Sequence, residues 1–107
     1  MAELEIHVKR SVFSPDGKFL GVVEMKIWKV PKDKCHPEGY KYSLVFALYN
    51  ETTGKFDGNF LRYDNYQCEG HHKHLKGKKF PYKFTDIEQL IEDFKNDFEK
   101  LIEEVVK

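Results

Sequence analysis

The chain has 107 residues, with 18 lysines and arginines against 18 acids, and 40% of it is hydrophobic. That length suits one domain, residues 1–107, with a core of its own, and leaves no room for a second. It has no apolar run of about 18 residues, and its start, MAELEIHVKR, alternates apolar and polar residues where a signal peptide carries an apolar block. The expectation is a cytoplasmic protein without a membrane span.

Residues 3–13, ELEIHVKRSVF, place Leu4, Ile6 and Val8 on one face of a strand and His7 and Lys9 on the other. SPDG at 14–17 has Pro and Gly where a type I turn favours them, so a hairpin leads into a second strand from about Lys18 to Val30. Val23, Met25 and Ile27 line one side of it, and Glu24, Lys26 and Trp28 the other. The segment PKDKCHPEG, 31–39, reads as a loop.

YKYSLVFALYN, 40–50, is apolar on both faces, as in a central strand covered on each side. A second copy of the chain, in a homodimer, is one candidate cover. ETTG then turns the chain into KFDGNFLRYDN, 55–65, where Gly58 marks a bulge.

At 85–88, TDIE has the form of a capping box with Thr85 as N-cap and Glu88 reaching back. Apolar residues then recur at Ile87, Leu90, Ile91, Phe94, Phe98, Leu101, Ile102 and Val105, the spacing of one face of a helix of about 20 residues. Its phenylalanines read as core. The expected fold class is α+β: an antiparallel meander of four strands, or slightly more, with a long C-terminal amphipathic helix packed on one face.

Two cysteines, Cys35 and Cys68, stand 33 positions apart, and two free thiols are expected in a reducing compartment. Charge is unevenly spread. From Thr85 onwards there are eight acids against three lysines, a net charge of minus five, so the rest carries plus five. Within residues 66–83 Glu69 is the sole acid among Lys73, Lys76, Lys78, Lys79, Lys83 and three histidines. Such a strip attracts phosphate, although solvated surface lysines have the same composition.

The chemistry concentrates in RYDNYQCEGHHKH, 62–74. In an extended segment His72 and His74 share a face while His71 points away; Arg62 and Asp64 share one face of the fourth strand, Tyr63 and Asn65 the other. Metal-independent RNA cleavage needs a base for the 2′-hydroxyl, an acid for the departing 5′-oxygen and fixed positive charge for the phosphorane. Histidine fits the first two roles near neutrality, and Asp64 is placed to orient one imidazole. The candidate catalytic residues are therefore His72, His74, Asp64, Arg62 and Tyr63, and the candidate substrate-binding residues His71, Lys73, Asn65, Lys76, Lys78 and Lys79. No cofactor is required.

The same residues admit other readings. His72 and His74 could ligate a metal with Asp64 or Cys68, and Cys35 and His36 offer further ligands, although no CxxC or HxxxH pair marks a structural zinc site. Exposed histidines without a task are a third reading, the one adopted for His7 and His36.

The sequence resembles the TumE-like proteins, small prokaryotic proteins classed as toxins of two-gene toxin–antitoxin systems, many of them of unknown function. WKVPKDKCHPEGYKYSLVF (28–46), RYDN (62–65), HHKH (71–74) and FPYKFTDIEQLIEDF (80–94) carry the resemblance. It implies that Arg62, Tyr63, Asp64, Asn65, His71, His72 and His74 are the motif residues, and that an antitoxin is the partner. Two function classes follow: a toxin-like endoribonuclease of a type II system, or a non-catalytic module that grips nucleic acid or protein through the basic strip and the aromatics Tyr63 and Tyr66.

Overall fold

Six strands, each antiparallel to the next, follow one another across a single sheet in the order β1-β2-β3-β4-β5-β6. They are β1 (Glu3–Phe13), β2 (Phe19–Lys29), β3 (Tyr40–Asn50), β4 (Lys55–Asp64), β5 (His72–Leu75) and β6 (Lys78–Pro81), and helix α1 (Ile87–Val106) closes the chain. A computed structural model describes residues 3–68 and 70–106, so Glu69, the one acid of the basic strip, lies outside the described residues. The α+β meander with its C-terminal helix is as expected. It exceeds four strands because residues 72–81 pair as a further hairpin on β4.

Local chemistry accounts for the turns. Gly17 N donates to Ser14 O at 2.9 Å, the closure of the expected type I turn. Between β5 and β6 only Lys76 and Gly77 intervene, both at positive φ (52° and 84°), a two-residue turn of the kind that matches strand twist. The expected bulge at Gly58 is present: between Phe46↔Leu61 and Leu48↔Asp57 the ladder slips, and β4 carries the extra residues. A second slip, between Leu4 and Ile6, sets Leu4 opposite Trp28 and removes it from the face of Ile6 and Val8. Leu4 is accordingly 53% exposed.

The core lies between the sheet and α1. Tyr42, Leu44 and Phe46 of β3 and Leu61 and Tyr63 of β4 are buried on one face, against Leu90, Phe94 and Leu101 of the helix. Phe46 meets Phe98 edge-on at 5.1 Å, and Tyr63 meets Phe94 at 5.9 Å. The other face of β3 is only half-buried, by its own side chains, with Lys41 lying over the rings of Trp28 and Tyr66. Among the described residues, the cover expected on both faces is present on one.

Two local expectations are corrected. The helix is capped by Asp86 rather than Thr85: Asp86 O accepts from Leu90 N at 3.0 Å, and its carboxylate accepts from Gln89 N at 2.7 Å. Cys35 and Cys68 are joined in a disulfide, with Cα atoms 4.3 Å apart, and neither is a free thiol. The reason is topological. Because β3 and β4 are antiparallel, the loop before β3 and the turn after β4 meet at one end of the sheet, so a separation of 33 residues closes to a contact.

Candidate active site

The β4–β5 ladder assembles the site. It sets Arg62 opposite His74 and Asp64 opposite His72, and since residues alternate across the pleat, these four side chains share the face that α1 leaves open. His74 in turn faces Lys79 across β6. Two pairs that are each i, i+2 in sequence thus become one block.

Asp64 is the hub of this block. Arg62 Nε donates to its Oδ2 at 2.6 Å, and His72 Nε2 lies 2.5 Å from its Oδ1. Asp64 and His72 are buried, at 3% and 6% exposure. His72 Nδ1 lies 3.2 Å from Gly70 O, and a carbonyl can only accept, so Nδ1 carries the hydrogen. Despite its proximity, the imidazole does not line up with Oδ1, which has no hydrogen-bond partner among the described residues. The His74 ring stands 5.3 Å from that of His72 at 83°, and burial, with the neighbouring His72 second, lowers its pKa towards the neutral imidazole. Above them Tyr66 lies under Lys41 at 4.8 Å and Arg62 at 6.0 Å, a cation–π stack at the rim.

The other candidates are placed elsewhere. Tyr63 points under α1, where its hydroxyl donates to Asp97 and lies 3.4 Å from Asp93 O; burial first, and the Asp97 bond second, push its pKa well above the ordinary range. It therefore offers no stacking surface. Lys73 shares that side and pairs with Asp97 at 3.1 Å. Lys76 pairs with Glu104 at 2.8 Å, so the acidic helix neutralises part of the basic strip. Lys78 is exposed on the outermost strand.

Asn65 acts on the backbone. Its Oδ1 accepts from Tyr42 N at 3.0 Å and its Nδ2 donates to Tyr40 O at 2.8 Å, continuing the ladder past the end of β4. His71 packs on the rings of Tyr42 and Phe84, which also touch each other, with Nδ1 2.9 Å from Tyr42 Oη and Nε2 3.0 Å from Glu38. Glu38, Phe84 and Asp97, which position these residues, are not among the sequence candidates: Glu38 and Phe84 lie in the stretches 28–46 and 80–94 that carry the resemblance, and only their partners' chemistry gives any of the three a role. The disulfide removes Cys35 and Cys68 from any ligand set, and among the described residues Asp64, His72 and His74 are the group that could hold a metal ion.

A family model described as Toxin TumE matches residues 3–102, which takes in the whole sheet and most of the helix. The chain belongs to the TumE toxin family. Comparison with curated proteins and with solved structures gave no match. Membership supports a toxin-like role for this TumE chain and, with it, an antitoxin as a candidate partner. Among the described residues of this TumE protein, no helix is long and apolar enough to cross a membrane.

Proposed function

We propose that this TumE-family toxin is an endoribonuclease that cleaves RNA without a metal ion, at the block formed by Arg62, Asp64, His72 and His74. The observation that carries the reading is the cross-strand pairing of Arg62 with His74 and of Asp64 with His72, which gathers two imidazoles, a carboxylate and a guanidinium on the helix-free face. His74, the more exposed of the two rings, takes the proton of the 2′-hydroxyl. The 2′-oxygen bonds to phosphorus, the bond from phosphorus to the 5′-oxygen breaks, and His72, protonated on both nitrogens beside the Asp64 carboxylate, gives its Nε2 proton to that oxygen and is left neutral. The products are a 2′,3′-cyclic phosphate and a 5′-hydroxyl.

Arg62 and Lys79 flank the pair with positive charge for the phosphorane, while Tyr66 offers a ring at the rim for a base. Tyr63, Lys73, His71 and Asn65 support the block from behind, through the helix and the β3 end of the sheet. In this reading the chain works in the cytoplasm as a single domain, with RNA as substrate and the antitoxin of a type II system as its inhibitor.

The test is cleavage of a defined RNA by metal-stripped protein in chelator. Wild type should cleave and leave a cyclic phosphate, whereas a strand with 2′-deoxyribose at the scissile position should stay intact. His74→Ala, with its fold verified by circular dichroism, should lose about 100-fold or more. Equal cleavage by wild type and His74→Ala, or cleavage of the deoxy strand, would defeat the assignment.

A further inference from the structure

We infer that Asp64, His72 and His74 form a site for a zinc-type divalent cation, and that the cation, once bound, switches off RNA cleavage. The switch rests on the function proposed above; the cation site does not.

Each of the three residues offers one ligand atom, and these atoms lie within 4.8 Å of one another. Zinc bound to imidazole nitrogen and carboxylate oxygen at about 2.0–2.2 Å sets its ligands about 3.3 Å apart. Reaching that spacing requires Oδ1 and His72 Nε2, now 2.5 Å apart, to separate around the ion. The independent sign is Asp64 Oδ1, an oxygen of a carboxylate only 3% exposed, whose close neighbour His72 Nε2, at 2.5 Å, makes no aligned hydrogen bond with it. Leaving such an atom unsatisfied costs about 1–3 kcal/mol or more, and a cation at this point satisfies it.

The surroundings fit a ligand role. Gly70 O takes the Nδ1 hydrogen of His72 at 3.2 Å, leaving Nε2 as the ligating atom, as outer-shell carbonyls do for metal-bound histidines. Arg62 occupies Oδ2 at 2.6 Å and so directs the carboxylate to bind through Oδ1 alone. Two imidazoles with one carboxylate select zinc and its neighbours over magnesium or calcium, which prefer all-oxygen shells. The positive charges of Arg62 and Lys79 beside the site weaken a bare dication and suit the open fourth position to an anion.

The cation and the proton compete for the same atoms. A cation held by both imidazoles and Oδ1 leaves neither ring able to move a proton, so the loaded protein is inactive. Release of the cation restores the pair.

The experiment titrates metal-stripped wild type and His74→Ala with Zn²⁺ by calorimetry, records the visible spectrum of the Co²⁺-loaded protein, and follows RNA cleavage in parallel. Expected are one ion per wild-type chain, binding at least tenfold weaker in His74→Ala, and Co²⁺ bands of low-coordinate geometry. Stoichiometric Zn²⁺ should abolish cleavage and chelator should restore it. No uptake of Zn²⁺ by wild type, or unchanged uptake by His74→Ala, would overturn the site. Zinc bound with cleavage undiminished overturns the switch. Should the stripped protein bind zinc yet cleave no RNA, the cation site stands, and both the proposed function and its switch fall.

Discussion

Asp64 and His72 face each other across the β4–β5 ladder, with Oδ1 and Nε2 2.5 Å apart and both side chains withdrawn from water. Arg62 holds the second oxygen of the same carboxylate. One acid thus binds two potential catalysts into a unit, and removing it strands both. Arg62→Ala strands the buried Asp64 carboxylate without its guanidinium and should destabilise the protein by about 3–5 kcal/mol. Asp64→Ala, which leaves a guanidinium that still reaches water, should cost less stability while lowering cleavage. Urea denaturation of the two variants beside RNA cleavage assays measures both effects; equal stability losses would count against the stranded carboxylate as the cause.

On the opposite face, Asp97 accepts from both Tyr63 and Lys73 and fastens α1 to the sheet. Asp97→Ala leaves the buried Tyr63 hydroxyl only the long contact to Asp93 O, at 3.4 Å, and should cost about 1–3 kcal/mol. Cleavage per folded molecule should remain at the wild-type rate. A loss of cleavage much larger than the loss of stability would show that Tyr63 or Lys73 acts in the chemistry.

The Cys35–Cys68 bridge closes a loop of 33 residues that contains β3 and the whole of β4. In the chain-entropy picture such a closure stabilises the fold by about 3–4 kcal/mol. Cys35→Ser should lower the melting temperature, and a reductant should lower that of wild type to match. Thiol titration of the unreduced native and denatured protein should find no free thiol. The bond lies just beyond Asp64 and Asn65, so reduction should also slow cleavage by loosening the β3–β4 end.

His74 titrates below the ordinary imidazole value because burial and the neighbouring His72 favour its neutral form. With the folded pKa depressed, its share of stability is present above the unfolded value of about 6.5, and falls away as the pH drops through the unfolded and then the folded value. Metal-stripped wild type should therefore lose more stability between pH 7.5 and 5 than His74→Ala does. Parallel slopes in the two proteins, measured by chemical denaturation, would refute this origin.

Periodicity alone identified β1 to β4, the bulge at Gly58 and α1, because each is recorded in residues next to one another in the chain. It also paired Arg62 with Asp64 and His72 with His74, since alternation across a strand is a local property. What joins those two pairs is the register between β4 and β5, which depends on how the chain turns back after Asp64 and which alternation along one strand does not carry. The disulfide, the placement of Tyr63 and Lys73 beneath an acidic helix and the packing of His71 on Tyr42 and Phe84 depend on contacts still more distant in the chain. The sequence determined which residues lie on which side of each strand; only the packing of helix on sheet decided which side α1 covers, and so which of the motif residues lie beneath the helix and which on the face it leaves open.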